Sequence, residues 1–183
     1  MITVGIDLSL TSPSICIHNG NEFNVENCTI HYLTSIKKSV LSNGLLQGST
    51  WPNYYCDEER YNVVSNWALQ IINSCEQPRV YIEGYAFNAV GRVFQIAENT
   101  GILKYKIWQT GTQCITVPPT VIKKFATGKG NANKELLNEF FEKETCLDLK
   151  NTLKLTSKQW NPSSDIIDSY FVCKYGANNG KKI

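Results

Sequence analysis

Three short apolar runs in this chain each carry carboxylates where burial makes a carboxylate costly. Asp7 ends the run Met1–Asp7 inside GIDLS, Glu83 ends Arg79–Tyr85 inside YIEGY, and Asp165 and Asp168 lie three apart in SSDIIDSYFV. An ionised group in an apolar segment needs a partner, a proton or a cation. A fold that keeps all three runs inside can bring these acids to one point.

The surrounding pattern says what kind of fold that is. Ile2, Val4 and Ile6 alternate with Thr3 and Gly5, a strand signature. Leu8 to Pro13 reads as a turn, Ser14 to His18 as a second strand, and Asn19-Gly20-Asn21 as a hairpin signal. Glu22 to Leu33 reads as a third strand, so the chain opens as an antiparallel meander. Residues 34 to 56 read as an irregular loop or lid. Asp57-Glu58-Glu59 opens a helix whose apolar face is Tyr61, Val64, Trp67, Ala68, Ile71 and Ile72. Arg79 to Tyr85 is a fourth strand, Val90 to Trp108 a helix with Gly101 as its weak point, and Cys114 to Val117 a fifth strand. Helices follow over Val121 to Phe125 and Asn131 to Glu144. After a connector from Lys150 to Asn161, a last helix runs from Asp165 until Gly176 stops it. The expectation is a single α/β domain over residues 1–183, with a mixed five-stranded sheet flanked by helices.

Composition removes other classes. With 183 residues, 42% hydrophobic content and a net charge of +2, the chain is neither disordered nor a charged tail. No stretch has the length and apolarity of a membrane span, and an acid in the first apolar run argues against a signal peptide. Seven cysteines without a Cys-x-x-Cys pair argue against structural zinc and for free thiols, mostly in the core, in a reducing cytoplasm.

If strand ends and one helical turn bring the acids together, they repel. Two carboxylates about 5 Å apart cost roughly 3 kcal/mol at an effective dielectric near 20. Such a group must take up protons or hold a cation, and hard oxygen donors suit two Mg²⁺ ions, with Mn²⁺ as a substitute. Paired ions on shared carboxylates serve in-line phosphodiester hydrolysis. Each acid also has a plainer reading. Asp165 and Asp168 could serve the helix dipole and Asp7 a turn, but the three placements together favour a metal site.

A second feature points the same way. From Asn99 to Lys134 there is no acid, and six lysines fall there, at 104, 106, 123, 124, 129 and 134. Around Gly128-Lys129-Gly130, small residues let backbone N–H groups approach a phosphate, and lysines add charge. Alone, such a run is usually a solvated surface. Beside an acidic metal site it fits a polyanion, since nucleic acid needs both. Tyr85 and Phe87, next to Glu83, and Trp51, Tyr54 and Tyr55 in the irregular segment are aromatics able to stack on bases, although core packing is the commoner fate.

GIDLSLTS, YIEGY, PPTVIKKFATGKGNANK and PSSDIIDSYFV, in this order, resemble the RuvC-type Holliday junction resolvases, those of bacteriophages in flavour. The resemblance implies a ribonuclease H-like fold, a homodimer, and Mg²⁺-dependent paired nicking of four-way DNA junctions in a bacterial or phage-infected cytoplasm. Its four metal-binding acids map onto Asp7, Glu83, Asp165 and Asp168, with Asp7 bridging the ions. Its two lysines map onto Lys134, near the scissile phosphate, and Lys123, on the backbone. Lys124, Lys129, Tyr85 and Phe87 are further expected DNA contacts. The chain departs from the pattern at Ser9, where the family usually has Gly, and at Ala86, where it often has Phe. Residues 34 to 56 have no counterpart.

Other readings are a nuclease of the same mechanism on flaps, forks or RNA–DNA hybrids, and a non-catalytic DNA-binding module on the same fold. Retention of all four acids argues against the module. An actin-like ATPase opens with a similar turn but needs a second Gly-rich phosphate turn and typically a second domain, for which 183 residues leave no room.

Overall fold

The computed structural model describes residues 1–85 and 92–180. The strands are β1 (Ile2–Asp7), β2 (Ser14–Asn19), β3 (Cys28–Thr34), β4 (Leu46–Thr50), β5 (Arg79–Glu83) and β6 (Cys114–Val117). The helices are α1 (Asp57–Asn73), α2 (Val93–Gln109), α3 (Pro119–Thr127), α4 (Lys134–Thr145), the short α5 (Leu149–Thr152) and α6 (Ser163–Asn179). One mixed sheet has the order β4-β3-β2-β1-β5-β6. β1, β2 and β3 are antiparallel neighbours, while β4 runs parallel to β3, β5 to β1 and β6 to β5. The C-terminal ends of β1, β3, β4, β5 and β6 therefore lie along one edge of the sheet.

The two sheet faces follow from period-2 alternation. Val4, Ile6, Val80 and Ile82 pack with Val64, Ala68, Leu103 and Ile107 of α1 and α2. Cys16, Ile30, Tyr32 and Tyr81 pack on the other face with Phe141, Ile166, Tyr170 and Cys173 of α4 and α6. α6 crosses β1 so closely that a Cβ on Gly5 would lie 2.2 Å from the Cys173 backbone nitrogen. Farther along, a Cβ on Gly176 would lie 2.3 Å from the Tyr81 ring. The two glycines let α6 lie against the sheet with its N-terminus at the edge where β1 and β5 end.

Several expectations need correction. The sheet has six strands, not five. The extra one, β4, lies in the segment read as loop; with Leu46 as its only large apolar residue, its run LQGST carries no alternation to read. The third strand starts at Cys28, after a 3-10 turn at Val25–Asn27. The last helix starts at Ser163 and passes through Gly176, because that glycine serves helix–sheet contact and not termination. The connector after Lys150 contains most of α5. Among the cysteines, which are all free, only Cys16, Cys28 and Cys173 are buried. Cys56 is instead the α1 cap, its sulfur accepting from Glu59 N. No helix among the described residues is long and apolar enough to cross a membrane.

Candidate metal centre

Asp7 and Glu83 end neighbouring parallel strands whose register pairs Ile6 with Ile82. Alternation turns both carboxylates to the face that Gly5 and Tyr81 share, the face covered by α6. Asp168, in the second turn of α6, completes the group. Oxygens from Asp7, Glu83 and Asp168 all lie within 4.8 Å of one another. They line a cleft of about 300 Å³, with Ser9 and Lys123 as further polar lining and Leu8, Val93, Ile96 and Pro119 as its apolar wall.

Asp165 has a different environment. Its Oδ2 accepts from Ser9 Oγ at 2.7 Å, from Asn161 Nδ2 at 3.2 Å and from Ser12 Oγ. Its Oδ1 accepts from Ser164 Oγ at 3.0 Å. The first turn of α6 thus docks onto the turn after β1 through a buried, hydrogen-bonded carboxylate. Asp165 adds charge to the group without being one of its three clustered ligands. Sequence reasoning missed Ser12, Asn161 and Ser164 and treated Ser9 only as a departure. The available signal was the clustering of serines in LSLTS and PSS, each beside an acid.

The acids are electrostatically unsettled. Burial raises Asp7 well above the usual carboxylate range, with repulsion from Asp165, Glu83 and Asp168 adding to it. Burial and then repulsion from Asp168 push Glu83 to about 8, against the pull of Lys123. Burial and then Asp165 push Asp168 to about 7. Asp165 is also raised by burial, while its serine hydrogen bonds pull the other way. Three converging carboxylates, with no ion pair to a lysine among the described residues, are a poor arrangement for a protein alone and a fitting one for a hard divalent cation. An all-oxygen donor set of this charge suits Mg²⁺ or Mn²⁺.

The predicted basic residues are not equivalent. Lys123 lines the cleft from α3. Lys134 opens α4, its Nζ donating to Ser164 Oγ at 3.4 Å, and its charge favours ionised Asp7, Asp165 and Asp168. Lys124 and Lys129 are exposed and stand outside the cleft lining. Tyr85 is exposed at the cleft mouth and donates its hydroxyl to Ala97 O at 3.3 Å. Phe87 and Ala86 lie outside the described residues.

No protein-family profile matches the chain, and no curated protein matches it in sequence. Solved structures match it in fold. Thermus thermophilus RuvC superposes with a TM-score of 0.61 at 15% identity, covering 99% of this chain and 96% of that one. T. thermophilus RuvC in complex with Holliday junction substrate gives 0.62 at 12% identity, covering 99% and 95%. Nearly the whole of each chain is matched. This protein therefore has the ribonuclease H-like fold of RuvC.

Proposed function

We propose that this protein is a divalent-metal-dependent endonuclease that resolves four-way DNA junctions by paired nicks, acting as a homodimer. The observation that carries the proposal is the convergence of Asp7, Glu83 and Asp168 oxygens within 4.8 Å at the strand-end edge of a RuvC-like fold. Asp7, Glu83 and Asp168 would hold the metal, with Asp165 as a charged neighbour. Bound there, Mg²⁺ or Mn²⁺ would supply a water of lowered pKa and stabilise the leaving oxygen.

The protein's own groups do the rest. Lys134 and Lys123 face the acids from α4 and α3 and offset charge that builds on the phosphate in the transition state. Ser9, Ser12, Asn161 and Ser164 hold Asp165 in place, so the α6 acids keep their distance from β1. The apolar wall of Val93, Ile96 and Pro119 limits water on one side of the cleft. Contacts to phosphate would let branched shape be read ahead of sequence. The dimer reading is supported by α2, where Phe94, Tyr105 and Trp108 are 80%, 57% and 71% exposed at heptad-like spacing. Large aromatics gathered on one exposed helix face mark an association surface.

The test is nicking of a synthetic four-way junction beside linear duplex, flap, fork and RNA–DNA hybrid, with Mg²⁺ or with EDTA. Symmetric paired nicks on the junction, lost with EDTA, are the expected result. Faster cleavage of another substrate would replace the junction and keep the chemistry. No metal-dependent cleavage of any substrate would overturn the proposal.

A further inference from the structure

We infer that a second lysine surface, on the opposite side of the acidic centre from Lys123, carries the phosphate backbone of a DNA arm leaving the cleft. This rests on the junction reading above and adds to it a surface built from residues 34–56 and 149–164.

The topology places it. β1 lies in the sheet with β5 and then β6 on one side, and β2 and then β3 on the other. α3, with Lys123 and Lys124, follows β6 at the sheet edge where the acids sit. The 3-10 turn Lys37–Ser39 follows β3 at that same edge. Each lies two strand spacings from β1, roughly 10 Å. The acidic centre is thus flanked by lysines on both sides.

A buried bond completes the second surface. Ser39 Oγ donates to Leu153 O at 2.7 Å, and Tyr32 OH donates to Ser39 O at 2.8 Å. These bonds bring the turn that carries exposed Lys37 and Lys38 against the α5 segment, which carries exposed Lys154 and Lys158. Lys154 takes a left-handed backbone, φ 54, that a non-glycine residue rarely adopts. The α5 segment is fixed further by Lys150, whose Nζ lies 3.3 Å from the Trp160 ring centroid. Trp160 immediately precedes Asn161, which bonds Asp165, so the surface runs directly into the site.

Its charge is not locally balanced. Residues 27–56 and 149–164 contain no aspartate or glutamate. Among the described residues, none of Lys37, Lys38, Lys154 and Lys158 is in an ion pair. With Asp148, the exposed cap of α5, as the adjacent acid, four exposed lysines still leave a net positive patch in a chain of net charge +2. Flexible, unpaired point charges in excess of the nearby acid suit the regularly spaced phosphates of duplex DNA.

The test measures binding of long-armed and short-armed four-way junctions across a salt series, with Ca²⁺ replacing Mg²⁺ to hold back cleavage. The variants are Lys37→Gln/Lys38→Gln and Lys154→Gln/Lys158→Gln, with Lys143→Gln on α4 as a control for general charge loss. Each pair should lower the salt-dependence slope by up to about 1.8 and weaken long-arm binding about tenfold at moderate salt. Short-arm binding, and nicking at saturating protein in Mg²⁺, should change little. A parent protein that binds the junction while both pairs match Lys143→Gln would overturn this surface and leave the junction reading standing. A parent that does not prefer the junction to linear duplex would overturn both.

Discussion

The Ser9 hydroxyl donates a 2.7 Å hydrogen bond to Asp165 Oδ2 across 156 positions of sequence. It ties the turn after β1 to the first turn of α6, and Ser12 bonds the same oxygen from the same turn. These bonds set how α6 presents Asp168 to Asp7. Ser9→Ala/Ser12→Ala removes two hydrogen bonds, each usually worth about 1.5–3 kcal/mol where one partner is charged, and should cost about 3 kcal/mol or more. Urea unfolding at neutral pH measures it. Nicking should fall as well, because the turn after β1 then no longer fixes the first turn of α6, the helix that carries Asp168 into the group. Unchanged stability and rate would show that the serines are incidental.

The clustered acids are expected to serve activity at the expense of stability. Asp168→Asn should lower nicking at least ~100-fold, within the range attributed to single groups that stabilise transition-state charge. The same change relieves repulsion on Asp7 and Glu83, so the metal-free protein should melt higher at pH 8 than the parent. Asp7→Asn and Glu83→Gln should act likewise. Junction binding should persist in all three. A variant that cleaves at the parental rate would remove that residue from the centre.

The pH dependence has a definite sign. Glu83 is pushed to about 8 and Asp168 to about 7, from ordinary values of 4.5 and 3.8. Between the ordinary and raised values the folded chain holds protons that the unfolded chain has released. Stability of the metal-free protein therefore falls as pH rises through this window, from about 4 to about 8. A decline of several degrees in Tm is expected, since ~1 kcal/mol moves a chain of this size by about 2–4 °C. Mg²⁺ should recover the loss at pH 8 and have little effect at pH 5. A Tm independent of pH, or an equal Mg²⁺ effect at both values, would contradict the cluster's electrostatics.

Gly5→Ala tests the helix–sheet contact. A methyl group there meets backbone, not a movable side chain, at the Cys173 nitrogen. Overpacking of this kind costs about 1–3 kcal/mol or more, and α6 must retreat from β1. Nicking should fall further than stability alone explains, because Asp168 moves with the helix. Thermal melting together with the rate measured well below Tm separates the two effects.

The α2 face has its own readout. Trp108→Glu should convert a dimer to a monomer in sedimentation, with nicks no longer paired. A parent that sediments as a monomer at every concentration would remove the dimer.

The sequence by itself determined the strands and helices whose patterns are local. β1 and β5 were legible because apolar alternation ends in a single acid, and α1 because its first-turn acids and apolar face agree. The acids stood out because carboxylates in apolar runs are costly wherever the chain places them. β4 was not legible: its run LQGST is held by pairing with β3 and by one buried leucine. Gly176 read as a stop because its reason for being there, the Tyr81 ring, is far away in sequence. Only the tertiary structure decided that Asp7, Glu83 and Asp168 share one space while Asp165 is held by serines from a distant turn. Which oxygens face a common point depends on strand register and on how closely α6 approaches the sheet, and these are set by contacts between residues far apart in the chain.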